Sequence, residues 1–161
     1  MFDTNNKDYF LSKEEFDYIY SKVPRLTIEI ILKNDEGKIL LTKRAIEPCI
    51  GQWHLPGGTV AFGESLKAAV LRVAKRELSI KVKESINVGY IEYPSHYLAG
   101  LDYPVGIVFE VISFAGQVKL NQESQNSGWF NHLPKNMHAD QDVFLIKNRY
   151  LKKVNQRPLK S

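Results

Sequence analysis

Apolar and polar positions alternate with different periods along the chain, and each period predicts an element. Ser12-Lys13-Glu14-Glu15 has capping-box spacing ahead of Phe16, Tyr18, Ile19 and Tyr20, with Ser12 placed to cap and Glu15 to reach back. It predicts a helix over about 12–22, stopped before Pro24. Leu26 to Leu32 is a β-rich run, Asn34-Asp35-Glu36-Gly37 carries turn chemistry, and Lys38 to Thr42 resumes as a strand, so the pair reads as a hairpin. Ala45 to Gln52 reads as a loop, followed by Trp53-His54-Leu55-Pro56-Gly57-Gly58 and a short strand from Thr59 to Phe62. From Ser65 onward Leu66, Ala69, Val70, Val73, Ala74 and Leu78 recur at helical spacing and predict one helix from about Glu64 to Leu78. Strand-like runs cover Ile86 to Tyr93, Val105 to Phe114 and Gly128 to Phe130, with a loop rich in Tyr, Gly and Pro between Pro94 and Pro104. A last amphipathic helix is predicted over 141–153, burying Val143, Phe144, Ile146 and Tyr150. Strands around one buried central helix, with a helix near each end, imply the α/β class, an α/β/α layered arrangement with a mixed sheet.

Composition narrows the picture. A length of 161 residues suits one domain over 1–161, and 43% hydrophobic with 25% charged residues excludes a disordered or fibrous chain. No apolar run approaches the roughly 20 residues of a membrane span, and the start, Met1 to Asn6, lacks the basic and apolar regions of a signal peptide. No membrane partner and a cytoplasmic location are therefore expected. The single cysteine, Cys49, cannot form an internal disulfide, which agrees with a reducing compartment, and reads as an incidental thiol. Much of the formal charge of +4 lies between Lys147 and Lys160, where a solvated basic helix explains it better than a nucleic-acid site. No basic patch interleaved with aromatics supports nucleic acid as a partner, whereas small anionic substrates gain from the same field.

Candidate chemistry concentrates between Gly58 and Ile80. Glu64 follows Gly58 after five residues, Arg72 follows Glu64 after seven, and Glu77 and Ile80 continue the register. Trp53 and Pro56-Gly57-Gly58 precede this stretch, and Arg44 stands after a strand. In these residues the chain resembles the Nudix hydrolases from about Leu26 to Phe130, with its Nudix box at 58–80. The resemblance implies a Nudix-like α/β/α fold with a central Nudix-box helix and a homodimer. It also implies a small-molecule nucleoside-diphosphate substrate and a cation, Mg2+ with Mn2+ as the alternative, held by a backbone carbonyl and helix carboxylates.

The departures are as informative as the matches. Val73 and Arg76 stand where the family has glutamates, Ser79 stands where it has glycine, and Glu77 alone remains of the helix carboxylates. A cation beside a metal opposes it by roughly 3 kcal/mol per unit of metal charge at ~6 Å and an effective dielectric of ~20, so one metal fits and several do not. A branch that is more closely similar, the GDP-mannose mannosyl hydrolases, also lacks those two carboxylates. That likeness extends to Leu11-Ser12-x-x-x-Phe16, to Pro24 through Arg44, and to Gly51-x-Trp53-x-x-Pro56-Gly57-Gly58. The branch uses one magnesium and attacks the sugar carbon.

Carried over residue by residue, the resemblance implies Gly58, Glu77 and Glu123 as metal ligands, with Arg44, Arg72 and Glu123 as catalytic residues. Arg44 would contact the diphosphate. From the residues alone, Glu29 on its strand, and His96 and Tyr97 in the loop after Pro94, are candidates to meet the substrate. Where the branch has a catalytic histidine this chain has Ser124, and its active-site arginine is Thr59, so the base stays open between Glu123 and His96. Asn126 offers an amide oxygen, and Tyr90, Tyr93 and Tyr103 are further candidates for stacking. Plainer readings stand beside these. Arg44 also reads as a strand-end charge and Arg72 as a structural partner of Glu64 or Glu77, Arg44 being the better functional candidate of the two. His54 reads as a packed or surface side chain, and His132 and His138 as residues of an exposed loop. Three functions follow: a one-metal hydrolase acting on a nucleotide sugar such as GDP-mannose, an idle Nudix fold binding a nucleotide or protein with Arg76 in place of the metal, and a basic accessory protein for nucleic acid.

Overall fold

The computed structural model describes residues 11–120 and 124–154. Along the chain lie α1 (Lys13–Tyr20), β1 (Arg25–Leu32), β2 (Ile39–Arg44), β3 (Trp53–His54), β4 (Gly57–Thr59) and α2 (Leu66–Leu78). They are followed by β5 (Lys81–Glu92), α3 (Pro94–Leu98), β6 (Pro104–Ala115), β7 (Ser124–Phe130) and α4 (Ala139–Lys147). β1 pairs in parallel with β6, from Arg25 opposite Pro104 to Leu32 opposite Val111, and antiparallel with β4. β5 joins β6 to complete a mixed sheet in the order β4-β1-β6-β5, while β3, β2 and β7 form a second, antiparallel sheet. The expected hairpin between β1 and β2 is reduced to one bridge, Lys33 with Ile39. β1 takes its ladders from β4 and β6 and β2 from β3 and β7, so the two diverge after the turn at Asn34.

The pleat of β1 divides the core. Ile28, Ile30 and Leu32 pack with Ala69, Val70, Val73, Ala74 and Leu78 of α2, whereas Ile31 packs with Ile39, Leu41, Leu55, Val108 and Leu145 of α4. A strand covered on both faces has an almost unbroken apolar run, and Glu29 is its acidic interruption, on the same side as Ile31. α2 begins at Ser65, whose hydroxyl accepts from Ala68 N–H at 3.1 Å, and buries the stripe that its 3.6-residue period predicts. It ends at Ser79, held at φ 60° in the left-handed region where helices commonly place glycine. α1 is capped as its sequence predicts: Ser12 Oγ accepts from Glu15 N–H at 3.1 Å and Glu15 Oε2 accepts from Ser12 N–H at 2.7 Å.

Other boundaries shift. The segment from Pro94 to Pro104 is not all loop, because Pro94 opens α3. The short strand expected from Thr59 to Phe62 is instead β4, because pairing with β1 uses Gly57 to Thr59, and Phe62 lies exposed. The last helix starts earlier and stops at Lys147, since Arg149 takes a left-handed turn that sends Leu151 back into the core. Val143 therefore faces solvent, and Leu145 takes the buried position. No helix among the described residues is long and apolar enough to cross a membrane.

Candidate functional site

α1, β1, β4, the β2–β3 loop, α3 with the turn after it and the start of α4 enclose an open cleft of about 790 Å³. That volume suits a drug-sized or nucleotide-sized ligand. Glu29 lines it and is only 6% exposed. Tyr93 Oη donates to Glu29 Oε1 at 2.9 Å and Thr27 Oγ1 donates at 3.1 Å. Gln141 of α4 steadies this group, since its Nε2 donates to Tyr93 Oη at 2.8 Å while its Oε1 accepts from Leu55 N–H at 2.7 Å. Burial pushes the Glu29 carboxyl up from 4.5 to about 7, against the lowering effect of its Tyr93 and Thr27 hydrogen bonds and of Arg25. The first glycine of Pro-Gly-Gly has a steric reason here: a Cβ on Gly57 would collide with the Glu29 carboxylate and the Ile28 carbonyl. Gly106 on β6 spares the other carboxylate oxygen in the same way.

Arg44 ends β2 beside a register shift against β7. Its Nη2 donates to the Glu47 carbonyl at 3.1 Å, whereas its Nε is buried with no hydrogen-bond partner. A buried donor left unpaired costs about 1–3 kcal/mol, which makes it a place for an acceptor such as a phosphate oxygen.

A polar chain runs along another part of the lining. Arg25 Nη1 donates to Thr59 Oγ1 at 2.8 Å, and its Nε pairs closely with Asp102 Oδ2. Asp102 Oδ1 lies 3.1 Å from His96 Nδ1, and His96 Nε2 lies 3.1 Å from His138 Nε2 and 4.0 Å from Cys49 Sγ. Burial pushes the Asp102 carboxyl up, but the His96 hydrogen bond and the Arg25 charge outweigh it and hold the group below the usual range. Burial and His96 hold His138 below its ordinary value, and burial lowers His54 to about 4, so both are neutral at neutral pH.

The box helix forms the remaining part. Arg72 donates to Glu64 Oε1 at 2.7 Å, to Glu64 Oε2 at 2.8 Å and to the Thr59 carbonyl at 2.9 Å. Burial raises the Glu64 carboxyl, but these bonds and the Ala61 N–H prevail and hold it low. Val73 is sealed in the core. Arg76 lines the cleft and its Nε donates to Glu77 Oε1 at 2.8 Å. Glu77 is 8% exposed. One buried carboxylate and the Gly58 carbonyl are hard oxygen donors that suit a single magnesium or manganese ion, which usually takes its other ligands from water and substrate phosphates. They do not suit two or three ions, and Arg76 competes for the same carboxylate oxygen.

The fold thus brings Arg44, Glu29, His96 and Gly58 to one cleft, with Glu77 reached through Arg76. Arg72 does not line it and serves the structural role of locking Glu64. Tyr97 is 68% exposed, packs edge-on against Tyr103 and also stays outside the lining. Glu123 lies outside the described residues. His138 is not on an exposed loop: it caps α4, accepting from Asp140 N–H at 3.3 Å, and is 6% exposed. Tyr93 is a buried hydrogen-bond donor and not a stacking platform. Asp102 and Gln141 escaped the sequence reading because neither belongs to a local pattern; an acidic residue six positions after His96 was the available signal.

A family model described as the NUDIX domain matches residues 23–147. The low-salt glycan biosynthesis protein Agl8 of Haloferax volcanii is 34% identical over 102 residues, covering 61% of this chain and 65% of that protein. The ADP-ribose pyrophosphatase of Methanocaldococcus jannaschii is 32% identical over 114 residues, covering 70% of this chain and 66% of that protein. The chain thus spans just under two thirds of the length of these two relatives. Among solved structures, a MutT NUDIX hydrolase from Burkholderia pseudomallei superposes with a TM-score of 0.68 at 28% identity, covering 76% of this chain and 96% of that one.

Proposed function

Because this chain belongs to the Nudix family, we propose that it hydrolyses a nucleoside-diphosphate-linked compound, a nucleotide sugar such as GDP-mannose being the first substrate to test. The observation that carries the reading is Arg44, whose buried, unpaired Nε and exposed neighbour cleft together ask for an anionic oxygen. Arg44 binds the diphosphate, and Arg76 adds positive charge to the same cleft. Glu29 is the general base: it is held by Tyr93 and Thr27, its proton affinity lies near neutrality, and it takes the proton of the attacking water. Arg72 is a positioning residue that fixes Glu64 and the backbone at Thr59, next to Gly58. Gly58 and Glu77 would hold one divalent cation. That ion would neutralise phosphate charge and polarise the leaving group. The name of the glycan-biosynthesis relative supports a sugar-linked substrate, and that of the pyrophosphatase supports ADP-ribose as the comparison substrate.

A panel of nucleotide sugars, ADP-ribose and nucleoside triphosphates, each with magnesium and with manganese, tests the reading. Metal-dependent turnover of a diphosphate-linked compound is expected, with Glu77→Gln losing most of it; a Glu77→Gln enzyme with full turnover would remove the metal assignment. Hydrolysis in labelled water then tells attack at phosphorus, which labels phosphate, from attack at carbon, which labels the sugar.

One contact favours a second reading. Arg76 on Glu77 already supplies a positive charge beside the box carboxylate, as a nucleotide-binding module without hydrolysis requires. Calorimetry with GDP separates the two, since that module binds equally with and without magnesium and turns nothing over.

A further inference from the structure

We propose that Cys49, His96 and His138 form a site for a transition-metal cation of the zinc class, bound through Cys49 Sγ and the Nε2 atoms of the two histidines. Their ligand atoms all lie within 4.8 Å of one another. At zinc bond lengths, tetrahedral neighbours stand about 3.3–3.6 Å apart. Two observed separations, 3.1 Å between the two imidazoles and 4.0 Å from Cys49 Sγ to His96, bracket that spacing, and the third pair lies within 4.8 Å, so side-chain shifts on the order of 1 Å close the site. Sulfur with two imidazole nitrogens is a borderline-soft set that prefers zinc to magnesium, which separates this site chemically from the oxygens at Glu77.

Three different segments supply the ligands, and each is anchored. Cys49 belongs to the β2–β3 loop, where its carbonyl accepts from Gln52 N–H at 3.1 Å. His96 lies on α3 with Nδ1 turned to Asp102, itself paired with Arg25, which is how metal-bound imidazoles are commonly oriented by an outer carboxylate. His138 caps α4 and donates its backbone N–H to the Trp53 carbonyl at 2.9 Å. Two Nε2 atoms facing each other at 3.1 Å require one proton between them. The bond from Asp140 N–H to His138 Nδ1 puts that proton on His138, which donates to His96. Metal binding replaces this proton: the His138 hydrogen moves from Nε2 to Nδ1, the 3.3 Å Asp140 contact is given up, and the Cys49 thiol proton leaves to solvent. All three residues line the cleft, so a cation held there faces whatever the cleft holds.

The site stands independently of the hydrolytic reading. Chelator-stripped full-length protein titrated with zinc chloride against a chromophoric chelator is expected to take up one equivalent. The cobalt form is expected to show thiolate-to-cobalt charge-transfer absorption. Cys49→Ser and His138→Gln should each weaken zinc binding by at least about 100-fold, and Asp102→Asn by about 10-fold, whereas Glu77→Gln should leave it unchanged. Absence of a zinc equivalent, a Cys49→Ser protein that binds as well as the parent, or loss of zinc in Glu77→Gln would each overturn the proposal. Cys49 is half-buried on a loop, so its serine variant keeps the fold, and the charge-transfer band reports the thiolate directly. Zinc uptake without turnover of any nucleotide would sink the hydrolytic reading alone, and turnover without zinc uptake would sink this one alone.

Discussion

As the proposed general base, Glu29 would couple stability and chemistry in one side chain. With its proton affinity raised by burial, the folded chain holds a proton that the unfolded chain loses, so stability falls as pH rises from about 4.5 to about 7. The total loss is about 3 kcal/mol. Glu29→Gln keeps the shape and cannot ionise, so urea denaturation is expected to show a stability nearly flat over that window, with the variant ahead of the parent at pH 8. Activity should move the other way. As a general base, Glu29 gives a kcat/KM that climbs with pH and levels off above about 7, and Glu29→Gln should lower kcat by about 100-fold or more and flatten that limb. A variant that keeps the parent's pH profile would transfer the base role elsewhere.

At the scale of elements, α2 braces the strands β1 and β4 that line the cleft. Its inner stripe packs on β1, its start is locked through Glu64 and Arg72 to the strand that bears Gly58, and its end rests on Ser79 at φ 60°. A non-glycine residue in that conformation costs about 1 kcal/mol. Ser79→Gly is therefore expected to stabilise the chain by about that amount, visible as a Tm higher by roughly 2–4 °C, with turnover unchanged. A lower Tm would mean that the serine side chain contributes something its conformation does not reveal. α1 contrasts with α2. It buries no residue, and its ties to the sheet run through Phe16 and Tyr20 lying over the Arg25 guanidinium at 5.5 and 6.0 Å.

For the molecule as a whole, the formal charge of +4 favours anions, and Arg44 faces the cleft with an unpaired donor beside the acidic groups Glu29 and Asp102. Capture of a diphosphate should weaken as salt screens that charge, so kcat/KM is expected to fall between low and physiological ionic strength while kcat holds. Arg44→Met should lower kcat/KM by about 10–100-fold and make the salt dependence shallower, because a charge-assisted hydrogen bond of about 1.5–3 kcal/mol is lost with the charge. Equal salt slopes in parent and variant would place the anion contact elsewhere.

The local patterns of the chain determined its class and its main helix without help. Helical spacing from Leu66 to Leu78, the capping box at Ser12 and the box residues from Gly58 to Ile80 are each written in consecutive positions, so short-range physics suffices to read them. The same holds for the loss of two carboxylates at Val73 and Arg76, from which the proposal of a single metal starts. Tertiary structure alone decided which strands pair, because β1 and β2 prefer distant partners to each other. It decided that Glu29 is buried at the cleft between Gly57 and Gly106, that Arg72 serves Glu64 and not the cleft, and that Cys49, His96 and His138 converge. Burial, orphaned donors and contacts across 42 positions depend on what the folded chain brings close, and no local period records that.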